Sequence, residues 1–473
     1  MFAIEYFCPA CKPRHQGRFF KKPDADDLIR AHKAQQMLAD LTLQFAPEDE
    51  IPAGDETGRL HRWGYRRYRE MFNARQLLGL ELSAQLIATE PKERIRHAMA
   101  TNLSDLLRYQ NMLCRYDTMA LKSLDIFSIH GFPVGLVQCE SNLLGIPASA
   151  DMSVGSGGWS NIIEKYAKAK AYCEEPFEIR YVGRRKVQVR MAGEWIGETR
   201  DSLFEERPRS VDLRCGDAAE AELTPESLDA VFTDPPYFGN VQYAELMDFC
   251  YVWLKRFAPE SALHFQRVTT RNDGELTGNA NMERGLEHFT EGLSKVFRRM
   301  ASALRPGAPL AFTYHHNRLE AYRPVVVAIL DAELVCTAAL PCPAEMGASI
   351  HINGTGSSII DTIFVSRKRP LPAVLDSQAV GVSLQDMLNN DRAQLRRGAI
   401  ETTAGDERCM LFGHAARAAI HYLAPTWTRD SPTSEKLATV QRILEELIRS
   451  VEKKESNRGI EEPVTEILGP ALL

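Results

Sequence analysis

Apolar residues recur along this chain with two periods, and the places where the period changes divide it into elements. Between residues 211 and 367, short apolar runs alternate with longer amphipathic stretches. SLDAVFTD reads as a strand. VQYAELMDFCYVWLKRF reads as a helix that carries Leu246, Phe249, Cys250, Trp253, Leu254 and Phe257 on one face, the spacing of a helical apolar stripe. LEHFTEGLSKVFRRMASAL predicts a second helix through Leu286, Phe289, Leu293, Val296, Phe297, Met300 and Leu304, ended by Arg305-Pro306-Gly307. A strand (PLAFTYHH), a helix (PVVVAIL), a strand (AELVCTAAL) and a final strand (SIIDTIFVSRK) follow. Such alternation predicts an α/β fold with a doubly wound, mostly parallel sheet.

The flanking regions read differently. Residues 1–25 look like a small turn-rich β module, and 26–122 are helical, with LLGLELSAQLIA and LSDLLRYQNMLCRY as amphipathic runs. Farther on, PVGLVQCE predicts a strand, and the turn VGSGGW leads into the helix NIIEKYAKAKAYCE. RYVGRRKVQVRMAGEWIGE then reads as a β-hairpin with a basic face, inserted in an α/β core that spans 123–370. Residues 371–473 are again helical, and SEKLATVQRILEELIRSVEKKE aligns Leu437, Val440, Ile443, Leu444, Leu447, Ile448 and Val451 as a docking or dimerising stripe.

Composition narrows the class. Hydrophobic content of 44% and charged content of 25% over 473 residues are those of a globular chain with ample core. No apolar run reaches the roughly 18 residues of a membrane span, and no export signal opens the chain, so a cytoplasmic protein with no membrane partner is expected. The ten cysteines are mostly scattered singly in apolar surroundings, as reduced thiols would be. Cys8-Pro-Ala-Cys11 has the spacing of a zinc knuckle, with His15 as a third donor; a degenerate knuckle, or one completed by a partner chain, remains the alternative. A net charge of −6 does not mark the whole surface for nucleic acid. A local patch does: in GRLHRWGYRRYREMF, arginines alternate with aromatics, and Arg62, Trp63, Arg66 and Arg67 are candidate contacts to phosphates and bases. The alternative there is a solvated helix with its aromatics turned inward.

The most informative stretch is FTDPPYFGNVQY, where an apolar strand ends at Asp234 against two prolines. Proline cannot donate to a sheet ladder, so Pro235 and Pro236 stop the strand and stiffen the loop that displays Asp234 and Tyr237. In a doubly wound sheet such a loop lies where ligands bind. An acceptor carboxylate and an aromatic ring there suit a flat molecule with an amino group. Hydrogen bonds to both amino protons would favour a tetrahedral nitrogen and free its lone pair, while the ring holds the base. A base so held must first leave the duplex.

GDAAEAELTPESLDAVFTDPPYFGNVQYAELMDFCYVWLKR resembles the catalytic segment of bacterial amino-methylating DNA methyltransferases. More closely, it resembles the large adenine-specific methylases in which an Asp-Pro-Pro-Tyr loop precedes a Tyr-x-x-Leu-x-Asp-Phe helix. LRPGAPLAFTYHH, SSIIDTIFVSRK and the upstream FNARQLLGL and SDLLRYQNMLCRY are also similar to that group, so the resemblance covers roughly residues 60–370. It implies a Rossmann-like core, S-adenosylmethionine as methyl donor and DNA as partner. Asp234, Pro235 and Tyr237 would grip the amino group and base, with Pro236 shaping the loop. It also implies Asp217 near the donor's adenine, and a setting in restriction or anti-phage defence. Asp at the first loop position is commoner in the adenine-N6 group than the Ser often seen for cytosine N4.

The group also has a glycine-rich turn for the methionine part of the donor, and no clean copy occurs here. Gly155-Ser156-Gly157-Gly158 opens a helix and is the nearer candidate, through Gly155 and Gly157; Gly354-Thr355-Gly356-Ser357 precedes a strand. A second polypeptide that supplies the turn, or other defence-system subunits, are therefore expected partners. A non-catalytic nucleic-acid-binding subunit, and an RNA or protein-amide methyltransferase, are the competing readings.

Overall fold

Packing does not follow chain order. Residues Met1–Arg214 pack with Gln242–Asn272, and Cys215–Val241 pack with Asp273–Leu473, giving two compact units. The structure, a computed structural model, describes residues 3–11, 17–135, 137–149, 152–182, 185–191, 212–239, 241–258, 262–279, 282–344, 358–368 and 377–458.

The first unit begins with an antiparallel pair, β1 (Ile4–Phe7) and β2 (Arg18–Lys21). Helices α1 (Ala25–Asp40), α2 (Thr57–Arg62), α3 (Ala74–Ala88) and α4 (Glu93–Leu107) follow. Side chains set their starts: Asp24 accepts from Asp27 N at 3.0 Å to open α1, and Asn73 accepts from Arg75 N and Gln76 N at 3.0 Å to open α3. The run LSDLLRYQNMLCRY does not stay helical. Asn111 donates its amide to the carbonyls of Leu107 and Arg108 at 2.9 and 3.1 Å, satisfying helix-end acceptors that further turns would have used. Three two-stranded pairs come next: β3 (Tyr116–Asp117) with β4 (Lys122–Ser123), β5 (Ile146–Ser149) with β6 (Met152–Val154) and, after α5 (Trp159–Glu174), β7 (Phe177–Val182) with β8 (Arg185–Arg190). The described residues of PVGLVQCE form no strand. They carry a proline and a glycine and leave Val137 exposed, and only Cys139 N reaches a neighbouring backbone, at Cys114 O.

The helix after the Asp-Pro-Pro-Tyr loop, α6 (Tyr243–Leu254), belongs to this first unit. Phe249 meets the rings of Phe72, Phe127 and Phe132 at 5.7, 6.1 and 6.5 Å, and Trp253 meets Phe72 at 5.5 Å. Two acids are buried on the same helix, and both are satisfied. Glu245 accepts from the backbone N–H groups of Asp55, Glu56 and Thr57 at 3.0, 2.9 and 3.0 Å, which caps α2. Asp248 accepts from Thr270 N and Thr270 Oγ1 at 2.6 and 2.8 Å and faces Arg271.

The second unit is built on a four-stranded sheet of order β11-β12-β10-β9, from β9 (Val231–Thr233), β10 (Pro309–Tyr314), β11 (Leu334–Pro343) and β12 (Ile360–Lys368). β9 and β10 are parallel, and β12 runs antiparallel to both β10 and β11. The fold is thus α/β with a small mixed sheet, rather than the mostly parallel one that the alternation predicts. The difference arises because β12 inserts between its two predecessors. Helices α7 (Leu286–Ala303), α8 (Arg323–Asp331), α9 (Ser377–Arg397), α10 (Ala404–Leu423) and α11 (Thr433–Arg458) complete the unit. Phe297, Leu310, Phe312, Val326, Phe364, Ile420 and Leu444 share one buried cluster. The stripe on α11 is spent inside this cluster, where Leu437, Val440, Ile443, Leu447 and Val451 are buried, so that helix docks on its own unit. No described helix is long and apolar enough to cross a membrane.

Candidate functional site

The parallel pair fixes the site. Phe312 pairs with Thr233, so the next residues, Thr313 and Asp234, emerge side by side where both strands end. Pro235 is buried beneath the loop and Asp234 is exposed. Thr313 Oγ1 donates to Asp234 Oδ1 at 2.8 Å, which fixes the carboxylate and leaves Oδ2 to accept from a further donor.

Tyr237 is held by aromatic edges. Its ring meets Tyr314 at 5.0 Å with an interplanar angle of 64° and His315 at 5.3 Å and 76°. Phe238 meets Phe289 in the same edge-on manner at 5.4 Å. The loop then turns through Gly239 at φ +65°, a left-handed conformation that suits glycine. Thr277 Oγ1 donates to Val241 O at 2.9 Å and secures the end of the loop.

Sequence reasoning did not single out three polar members of this cluster: Thr313, His315 and Asp361. Tyr314 pairs with Thr362 across β10 and β12, which brings His315 beside Asp361. His315 Nδ1 and Asp361 Oδ1 are in contact, and neither atom reaches water. A carboxylate at Nδ1 favours a proton on that nitrogen and fixes the ring's orientation. The next histidine is different. Burial pushes the His316 pKa below its ordinary value, and its Nδ1 accepts from Arg318 N at 3.0 Å. Burial likewise raises the Tyr314 phenol, whose Oη donates to Ala321 O at 2.9 Å. Tyr314 is thus a neutral wall behind Tyr237. The sequence signal for the cluster was the Thr-Tyr-His-His strand end; its pairing with Asp361 was not readable.

The other candidates are distributed. Asp217, in the same unit as Asp234, is exposed and caps a short turn by accepting from Ala219 N at 2.8 Å. The Gly155–Gly158 turn lies in the first unit, between β6 and α5. Gly155 and Gly157 have φ of +82° and +79°. A Cβ at Gly157 would stand 2.2 Å from Tyr109, and one at Gly158 would stand 2.4 Å from the Gly145 backbone. Gly157 O accepts from Gln110 at 2.6 Å, and Gly158 N donates to Asn161. The close approach that Gly157 and Gly158 permit is used by the chain itself, whereas Gly155 faces open space. Gly354, Thr355, Gly356 and Ser357 lie outside the described residues, as does His15.

In the arginine-aromatic segment, Arg62, Trp63, Arg66 and Arg67 are all exposed, whereas Tyr68 is buried. Arg67 pairs with Glu48 at 3.1 Å, and Arg66 donates to His61 O at 3.0 Å. Cys8 and Cys11 flank a tight turn after β1, where Cys11 N donates to Cys8 O at 3.1 Å. The Cys11 side chain bonds to the Cys8 thiol and lowers its pKa, and the same bond raises that of Cys11. Two thiols are half of the donor set of a structural zinc. Among the described residues, no group of three or more His, Cys, Asp or Glu could hold a metal. Comparison with family models, with curated proteins and with solved structures returned no significant match to this chain.

Proposed function

We propose that this chain carries the acceptor side of a DNA methyltransferase that modifies the exocyclic nitrogen of a flipped base, adenine N6, with S-adenosylmethionine as donor. The observation that carries this reading is the Asp234 carboxylate at the end of a parallel strand, held through one oxygen by Thr313. The free oxygen accepts one amino proton, and a carbonyl of the proline pair accepts the other. Two such bonds draw the nitrogen towards tetrahedral geometry and make its lone pair available. Tyr237, braced by Tyr314 and His315, offers a ring on which the base stacks once it has left the duplex. The donor supplies an electrophilic methyl group, and the proton that the nitrogen loses passes to water by way of Asp234.

The parallel β9–β10 pair, with its loop at the carboxyl end, supports reading the second unit as part of a Rossmann-like methyltransferase core. Because the chain itself fills the turn at Gly157 and Gly158, the donor's cradle in this reading comes from elsewhere, most simply from a second polypeptide. The same filled turn favours a second reading, in which the chain is a non-catalytic subunit that keeps the base pocket. Transfer of labelled methyl from S-adenosylmethionine to DNA, by the chain together with the polypeptides that co-purify with it, separates the two. The first reading expects transfer that Asp234→Ala abolishes; transfer unchanged by that substitution would leave only the second.

A further inference from the structure

The β7–β8 hairpin is a ribbon in search of a surface. Its six registered pairs run from Phe177 with Arg190 to Val182 with Arg185. Three contacts anchor its base. Phe177 packs edge-on against Tyr172 at 5.3 Å, Arg190 pairs with Glu175 at 3.1 Å, and Met191 N donates to Pro176 O at 3.0 Å. Beyond that base all six residues of β8 are exposed, and so are Ile179 and Val182 of β7. A two-stranded ribbon wet on both faces is marginal by itself.

Charge identifies what covers it. The chain has a net charge of −6, yet the described hairpin carries Arg180, Arg185, Lys186 and Arg190 against Glu178 alone. The register sorts these cations. Arg180 and Arg185 share a face with Glu178, Val182, Val187 and Val189, while Lys186 and Arg190 share the opposite face with Ile179 and Gln188. Among the described residues, neither Arg180 nor Arg185 is in an ion pair, unlike Arg67 and Arg69, which both meet Glu48.

We propose that this hairpin binds duplex DNA by lying in the major groove. That groove is about 12 Å wide and admits a two-stranded ribbon. The face with Arg180 and Arg185 turns to the base edges, where guanidinium groups bond to guanine and valine methyls meet thymine methyls. Lys186 and Arg190 serve the phosphates, which supply most of the affinity. A-form RNA duplexes have a deep, narrow major groove that side chains cannot read, so the geometry selects DNA. The proposal rests on the DNA-methylating reading for its biological sense but not for its test.

The test is fluorescence anisotropy of the full-length chain with a labelled 30-base-pair duplex of random sequence, across a salt series and without methyl donor. The comparison is the triple variant Arg180→Gln, Arg185→Gln, Lys186→Gln, whose changes are all on the exposed ribbon. The expected result is saturable binding by the wild type and at least about tenfold weaker binding by the variant. The slope of log K against log salt should become shallower by about 0.9, for the one phosphate that Lys186 no longer neutralises. A matched RNA duplex should bind at least about tenfold more weakly than the DNA. The absence of wild-type binding, an unchanged slope in the variant, equal affinity for the RNA duplex, or binding to phosphatidylcholine–phosphatidylserine vesicles in place of DNA would each overturn the proposal. Because no donor is present, failure here leaves the role of Asp234 untouched, and failed methyl transfer leaves the hairpin untouched.

Discussion

The Asp234–Tyr237 loop and the Gly155–Gly158 turn are both strand-terminating segments with unusual backbone demands, and they use them in opposite ways. In the first, the special residues push a functional group outward: Asp234 is exposed while Pro235 is buried beneath it. In the second, the special residues let the chain close on itself, with Tyr109 against Gly157 and Gly145 against Gly158. A glycine reports that something comes close but not whether that thing is a ligand or the chain. A carboxylate propped at a strand end by a neighbouring hydroxyl stabilises nothing by burial, which makes it the stronger indicator of function.

The largest expected effect breaks this contrast directly. Asp234→Ala should lower methyl transfer by about 10³-fold or more and leave the melting temperature within about 2 °C, since the side chain is exposed; calorimetry and labelled transfer check both. Gly157→Ala should do the reverse and destabilise the chain by about 2–4 kcal/mol, through a strained φ and the collision with Tyr109. Gly155→Ala meets open space and should cost only about 1 kcal/mol, which denaturant midpoints would resolve.

These glycines also show what the sequence could not reveal. The periodicity located α7 and β10 and the strand that ends at the loop, because an apolar stripe and a proline are local signals. It overran at LSDLLRYQNMLCRY, where one asparagine side chain satisfies the helix end. It also could not order the strands. β12 lies between β10 and β11, and that register alone brings His315 beside Asp361 from the far end of the core. Asp234 and Tyr237 were legible as a motif; Thr313, His315 and Asp361 were legible only as neighbours in space.

Smaller effects sharpen the account of that neighbourhood. Thr313→Val removes the bond that orients Asp234 and should reduce kcat by about tenfold with little change in KM, the signature of an interaction used at the transition state. Asp361→Asn should cost about as much by releasing the His315 ring.

The smallest effect is on stability against pH. Burial depresses the pKa of His316 and of His421, whose Nε2 contacts Cys336 O at 2.7 Å. Below about pH 6.5, the ordinary histidine value, the unfolded chain takes up protons that the folded chain refuses. Stability is therefore complete above that pH and is lost as pH falls through the depressed folded values. Urea midpoints should fall between pH 7 and pH 5; midpoints unchanged across that range would contradict the buried, neutral state of both rings.

The central claim is that the Asp234 loop, and not the glycine turn, does the chemistry. It is tested most directly by mass spectrometry of nucleosides from cells that express the chain with its co-purifying polypeptides. The account predicts N6-methyladenine with the wild type and with Gly155→Ala, and none with Asp234→Ala at equal protein levels. N6-methyladenine that persists in Asp234→Ala but vanishes in Gly155→Ala would contradict it.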